Sequence, residues 1–150
     1  MNQKHKIAFV GNSLQTMCNF RLGVMAELAH LGHEVVVIAP KDSDITALKQ
    51  NRIRLIPVDI DCKGMNPFVD LQLVTTLKKI YKEEQFDFIF ADPPYVLTEI
   101  PQLPDMILER NLLREGGIMV LEHGKDHDFS SHTRFVEHRQ YGSVNFSFFR

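Results

Sequence analysis

Short, nearly continuous apolar runs alternate along this chain with longer stretches whose apolar residues recur every three or four positions. The first pattern marks buried strands, the second helices with one side against a core. "KIAFVGN" (6–12) and "HEVVVIAP" (33–40) are strands of the first kind. Between them, 16–32 carries Met17, Phe20, Leu22, Val24, Met25, Leu28 and Leu31 at helical spacing, with Gly32 as the cap. A short helix over 42–51 has an Asp or Ser available as N-cap. The alternating strand "RIRLIPVDI" (52–60) follows, and Pro57 suits it to a sheet edge. Asn66 and Pro67 open a helix over 66–85 that is apolar at 68, 69, 71, 73, 74, 77, 80 and 81. "FDFIFAD" (86–92) is a fourth strand, 104–117 a helix closed by glycines, and "GIMVLEHG" (117–124) a fifth strand.

The tail changes character. "TRFVEHRQYG" and "VNFSFFR" flank Gly142–Ser143 as an antiparallel hairpin, with Phe146 and Phe148 on one side and Phe149 on the other as sheet core. The order βαβαβαβαβ plus hairpin predicts an α/β fold: a doubly wound Rossmann-like sheet of five parallel strands, a C-terminal antiparallel β-hairpin, and helices on both faces. Ligands of such sheets bind at the carboxyl ends of the strands.

Composition narrows the class without naming a task. A chain of 150 residues, 44% hydrophobic and 24% charged, makes one domain over 1–150 with a real core. No apolar run reaches the ~20 residues of a membrane span, and "MNQKHKIAFVGN" lacks a signal-peptide layout. Cys18 and Cys62 form no ligand spacing, which points to two reduced thiols and a cytoplasmic setting. Residues 1–85 hold eleven basic and nine acidic side chains, residues 86–150 six and ten. No bulk basic footprint of the kind nucleic-acid binding leaves is present.

The chemistry-bearing stretch is "FDFIFADPPYVL" (86–97), a buried strand that stops on Asp92, Pro93, Pro94 and Tyr95. Neither proline has a backbone N–H, so the strand either presents these groups to a ligand or ends in a plain Pro-Pro turn with a surface tyrosine. Of the seven histidines, His123, His127 and His132 fall in "EHGKDHDFSSH", read as a solvated loop in preference to a metal site. His30 and His33 flank a helix end, where the dipole favours positive charge. No Ser/His/Asp triad, P-loop or GxGxxG occurs.

Two resemblances attach to these residues. "FDFIFADPPY", "LLREGGIMVLEHGKD" and "RQYGSVNFSFFR", all within 86–150, resemble the C-terminal half of the bacterial small-subunit ribosomal RNA guanine-N2 methyltransferases of the RsmD type. "KIAFVGNS", "FRLGVMAELAHLGHEVVVIAP", "IRLIPVDI" and "NPFVDLQLVTTLKKIYKEE", within 1–85, resemble the opening of the N-terminal domain of family 4, GT-B type glycosyltransferases. Both are Rossmann-like, and a seam at Gln85–Phe86 would splice them just before the fourth strand. This reads as a chimera with strand order 3-2-1-4-5 and the hairpin at one edge; the plainer account is that all doubly wound sheets share such patterns.

The first resemblance implies an S-adenosylmethionine-dependent methyltransferase-like domain acting on guanine N2 of ribosomal RNA. Asp92 and the Pro93 carbonyl would hold the amine hydrogens, Pro94 would stiffen the turn, and Tyr95 would stack the base. Glu122 and His123 would shape the pocket floor. The family's glycine-rich donor loop corresponds here to "FVGNSLQTMCNF", where Gly11 and Asn12 stand without further glycines. Asp42 and Asp44 lie beyond the position of the ribose-binding acid, while Asp59 or Asp61 would approach the adenine; capping and solvent exposure are the alternative roles. Donor binding is therefore expected to be impaired. The other readings are a catalytically inactive Rossmann-like chimera and an acceptor-side half-domain of a glycosyltransferase.

Overall fold

The computed structural model describes residues 3–59, 67–108 and 111–150, with side chains of the third helix from residue 72 onward. Asp61, Cys62 and Asn66, each given a role by the sequence, lie outside the described residues.

The apolar runs become β1 (Lys6–Gly11), β2 (Glu34–Ala39), β3 (Arg54–Pro57), β4 (Phe86–Asp92) and β5 (Leu113–His123), and the tail becomes β6 (Phe135–Tyr141) and β7 (Val144–Phe149). The helices are α1 (Leu14–His30), α2 (Thr46–Gln50), α3 (Pro67–Glu84) and α4 (Leu103–Leu108), the last entered through a 3-10 turn at Ile100–Gln102. They build one mixed sheet of seven strands in the order β3-β2-β1-β4-β5-β7-β6. The first five strands pair in parallel, whereas β7 runs antiparallel to both β5 and β6. The hairpin thus joins through its second strand, leaving β6 at the edge.

Two cores lie on opposite faces. Leu14, Met17 and Met25 of α1 and Leu48 of α2 pack on Ile7, Phe9, Val35 and Val37. Tyr81 of α3 and Ile107 and Leu108 of α4 pack on Ala8, Ile38, Ile89, Leu121 and Phe149. Val35 through Ala39 are all buried, as a two-sided parallel strand requires.

The sheet side of α1 differs from the sequence expectation. Phe20 is 74% exposed, and Val24 and Leu31 are also exposed. The sheet-facing stripe is Leu14, Met17, Leu22, Met25 and Leu28, and the helix is apolar on both sides, so spacing alone did not choose the face. The helix expected over 104–117 does not run on to its glycines: α4 is described over Leu103–Leu108, and β5 has begun by Leu113. Leu113 already pairs with Phe86, and the register then shifts so that Phe88 faces Ile118. Arg114 to Gly117 form that irregularity, and the glycines serve a strand bulge instead of a helix cap.

Candidate functional site

The winding of the sheet reverses between β1 and β4, because α1 and α2 cover one face and α3 and α4 the other. A crevice outside the carboxyl ends is expected at such a switch point. The register sets Gly11, the last residue of β1, beside Asp92, the last of β4. Glu122 lies at the same level on β5, since Ala91 pairs with Leu121.

Glu122 is buried and engaged at both oxygens. Arg21 Nη2 of α1 donates to Oε2 at 2.6 Å, and the Tyr95 hydroxyl donates to Oε1 at 3.0 Å. The Arg21 guanidinium lies over the rings of Phe90 and Phe146, 5.2 and 5.9 Å from their centroids. Its Nε is buried without a hydrogen-bond partner among the described residues. Asp92 is half-buried; burial and then the Glu122 charge raise its carboxyl pKa to about 6, against the opposing pull of Arg21. Burial and Glu122 push the Tyr95 phenol up to about 12. The Tyr95 ring is 47% exposed and packs near Gly124, where an added Cβ would sit 3.6 Å from Cδ2. Pro93 and Pro94 are half-buried, and the Pro94 carbonyl accepts from Leu97 N–H at 3.0 Å.

Asp92, Pro93, Pro94 and Tyr95 therefore gather at the switch point, with Arg21 and Glu122 behind them. Sequence reading missed Arg21. Its signal was position: Met17, Arg21, Met25 and Leu28 are spaced on one helical face, and an arginine inside an apolar stripe needs a buried partner.

The residues named for the donor separate. Gly11 is buried, and a Cβ there would meet the terminal methyl of Met17 at 2.6 Å. Asn12 and Ser13 form the turn into α1, where Ser13 Oγ accepts from Thr16 N–H at 3.2 Å. Asp42 is exposed and accepts from Gln15 N–H at 3.1 Å, and Asp44, one residue before the Ile45 N-cap of α2, accepts from Thr46 N–H at 3.1 Å. These are the capping roles held open as alternatives. Asp59 is exposed just past β3, which β2 separates from β1. A donor such as S-adenosylmethionine would need bare backbone at Gly11, and the flexible tip of the Met17 side chain lies there.

The histidine segment is not one solvated loop. His123 is buried at the end of β5, its Nδ1–H donating to the Gly124 carbonyl at 2.7 Å and its Nε2 accepting from Ser147 Oγ at 2.8 Å. The rings of His127, Phe129 and His138 surround it. Among the described residues no group of three His, Cys, Asp or Glu side chains is arranged to hold a metal ion, and no helix is long and apolar enough to cross a membrane.

A family model described as "Conserved hypothetical protein 95" matches residues 27–150, across the seam the sequence placed at Gln85–Phe86. An uncharacterized methylase of Rickettsia prowazekii is 32% identical over 59 residues, which is 38% of this chain and 25% of that protein. The N,N'-diacetylbacillosaminyl-diphospho-undecaprenol alpha-1,3-N-acetylgalactosaminyltransferase of Campylobacter jejuni is 29% identical over 84 residues, 56% of this chain and 22% of that enzyme. The chain thus spans about a quarter of the length of these curated relatives. A solved structure from Haemophilus influenzae, assigned as a methylase, superposes with a TM-score of 0.62 at 16% identity, covering 97% of this chain and 86% of that one. The fold is methyltransferase-like, and the chain belongs to the Conserved hypothetical protein 95 family.

Proposed function

We propose that this chain is a methyltransferase-type domain for a nucleobase amine, of the S-adenosylmethionine-dependent RNA (guanine-N2) class, with its acceptor end built and its donor end impaired. The observation that carries this reading is the convergence of Asp92, the prolines and Tyr95 at the β1/β4 switch point. Asp92 and the Pro93 carbonyl are acceptors for the two N–H groups of an exocyclic amine, and the half-exposed Tyr95 ring is a stacking surface. Holding the amine by two acceptors aims its lone pair, which is positioning and not proton abstraction. With Asp92 near pKa 6, its acceptor form predominates at neutral pH. The RNA partner rests on the resemblance alone; a net charge of −2 supplies little electrostatic grip.

A second reading, a catalytically silent Rossmann-like chimera, is favoured by Met17 against Gly11 and by relatives of two classes, a methylase and a glycosyltransferase. Calorimetric titration with guanosine, S-adenosylmethionine and a nucleotide-sugar separates the readings. We expect guanosine binding that Asp92→Ala abolishes, and weak donor binding that Met17→Ala strengthens. Silence toward the first two ligands would leave the chimera; binding of the nucleotide-sugar alone would favour the glycosyltransferase half-domain.

A further inference from the structure

Tyr95 can serve as a stacking surface only if its ring is held, and the turn that carries it does not hold it. Val96 beside it is 81% exposed, and the described side-chain hydrogen bond of Tyr95 is the one to Glu122 Oε1. Glu122 in turn is a buried carboxylate on β5, and such a group needs a cation to stay charged and in place. Its described ion pair is with Arg21, 101 residues earlier in the chain. Arg21 is itself aimed by α1 and by the Phe90 and Phe146 rings under its guanidinium. The three side chains form a linear relay from α1 through β5 to the turn after β4.

We propose that Arg21 is a positioning residue for nucleobase recognition: it holds Glu122, and Glu122 holds the Tyr95 ring beside the Asp92 carboxylate so that a purine amine meets ring and carboxylate together. The proposal deepens the acceptor-site reading above and rests on it for the ligand. Arg21 touches no substrate in this scheme; it acts through Glu122. The sequence resemblances assign it no role.

The test follows the phenols by NMR of the protein with isotope-labelled tyrosine, Tyr95→Phe identifying the Tyr95 signal among three. In the unaltered protein burial, and then Glu122, push the Tyr95 phenol up to about 12. Glu122→Gln removes the second cause and is expected to lower the phenol, leaving it above the ordinary value by the part that burial supplies. Arg21→Gln discriminates. If Arg21 acts only as a nearby charge, removing it raises the phenol further; if it positions Glu122, the carboxylate swings away and the phenol falls. A fall, with Arg21→Lys restoring most of the shift, supports the relay; a phenol that is unmoved or rises in Arg21→Gln overturns it. Guanosine affinity is measured in parallel and is expected to drop about tenfold in Arg21→Gln, the scale of a lost stacking contact. Unchanged affinity there overturns the recognition role. An unaltered protein that binds no guanosine defeats the acceptor-site reading and the ligand named here, while the titration still decides the relay. Should Arg21→Gln not fold, Glu122→Gln and Arg21→Lys keep the shape of the site and carry the same two measurements: a Tyr95 phenol unmoved by Glu122→Gln overturns the relay.

Discussion

At the scale of single residues, the site trades stability for a poised carboxylate. Asp92 has a folded pKa of about 6 against an ordinary 3.8, because burial and Glu122 both disfavour its charge. The native state therefore holds the Asp92 proton more tightly than the unfolded chain. Its ionisation costs nothing below the unfolded value, and the cost grows through the interval up to pH 6 and stands in full above it. With allowance for the solvent-exposed part of the group, that cost is about 1–2 kcal/mol at neutral pH. Asp92→Asn is expected to stabilise the protein by this amount at pH 7 and by little at pH 3.5, measured by urea unfolding, while losing guanosine binding. Such a gain at the expense of binding is the usual signature of a functional site.

At the scale of elements, the junctions decide most. Gln85 ends α3 in the left-handed region (φ 53°), its N–H donating to the Tyr81 carbonyl at 3.0 Å. A helix closed there by glycine avoids the Cβ clash, so Gln85→Gly should raise stability by about 1 kcal/mol, read as a shift in denaturation midpoint. Gly117 is the reverse case. A Cβ there would meet the Arg114 carbonyl oxygen at 2.8 Å and that of Asp87 at 3.1 Å, both backbone atoms of the β4–β5 bulge. Gly117→Ala is expected to cost about 2–4 kcal/mol and to disturb Leu113 pairing with Phe86. Met17, by contrast, offers only the flexible end of its side chain to Gly11, so Gly11→Ala should be milder, near 1 kcal/mol.

At the scale of the whole molecule, the two ends of the sheet respond oppositely to acid. The amino end is tied by Arg54, whose Nη1 and Nη2 donate to Glu84 at 2.9 and 2.6 Å, with Nη2 also reaching Glu34. Lys6 joins the same network. The Arg54 bonds hold the Glu84 carboxyl down to about 2 from 4.5. Its folded pKa is depressed, so this contribution is complete above pH 4.5 and is lost as pH falls toward 2, by roughly 2 kcal/mol. As pH falls from about 6 toward 3.8, protonation relieves the cost of Asp92 over an interval in which acid is still largely harmless to Glu84. The midpoint of urea unfolding should therefore pass through a maximum between roughly pH 4 and 5, with Asp92→Asn flattening the neutral-side fall and Glu84→Gln the acid-side fall.

The sequence by itself determined the strands and their order. Runs such as Val35–Ala39 are too apolar to lie anywhere but between two helical layers, and the parallel crossovers then leave few topologies. It also marked Asp92 to Tyr95, because prolines ending a buried strand are a local signal that needs no partner to be seen. The tertiary structure alone decided which face of α1 turns inward, since the helix is apolar on both sides. It decided that Gly116 and Gly117 belong to a bulge and not to a helix cap, and that Asp42 accepts a hydrogen bond from the first turn of α1. The pairing of Arg21 with Glu122 joins residues 101 apart, and no local pattern encodes a contact made only when α1 packs on the sheet and the Arg21 side chain reaches β5. Periodicity reports how each segment meets a core; which charges then meet one another is set by the packing of segments distant in the chain.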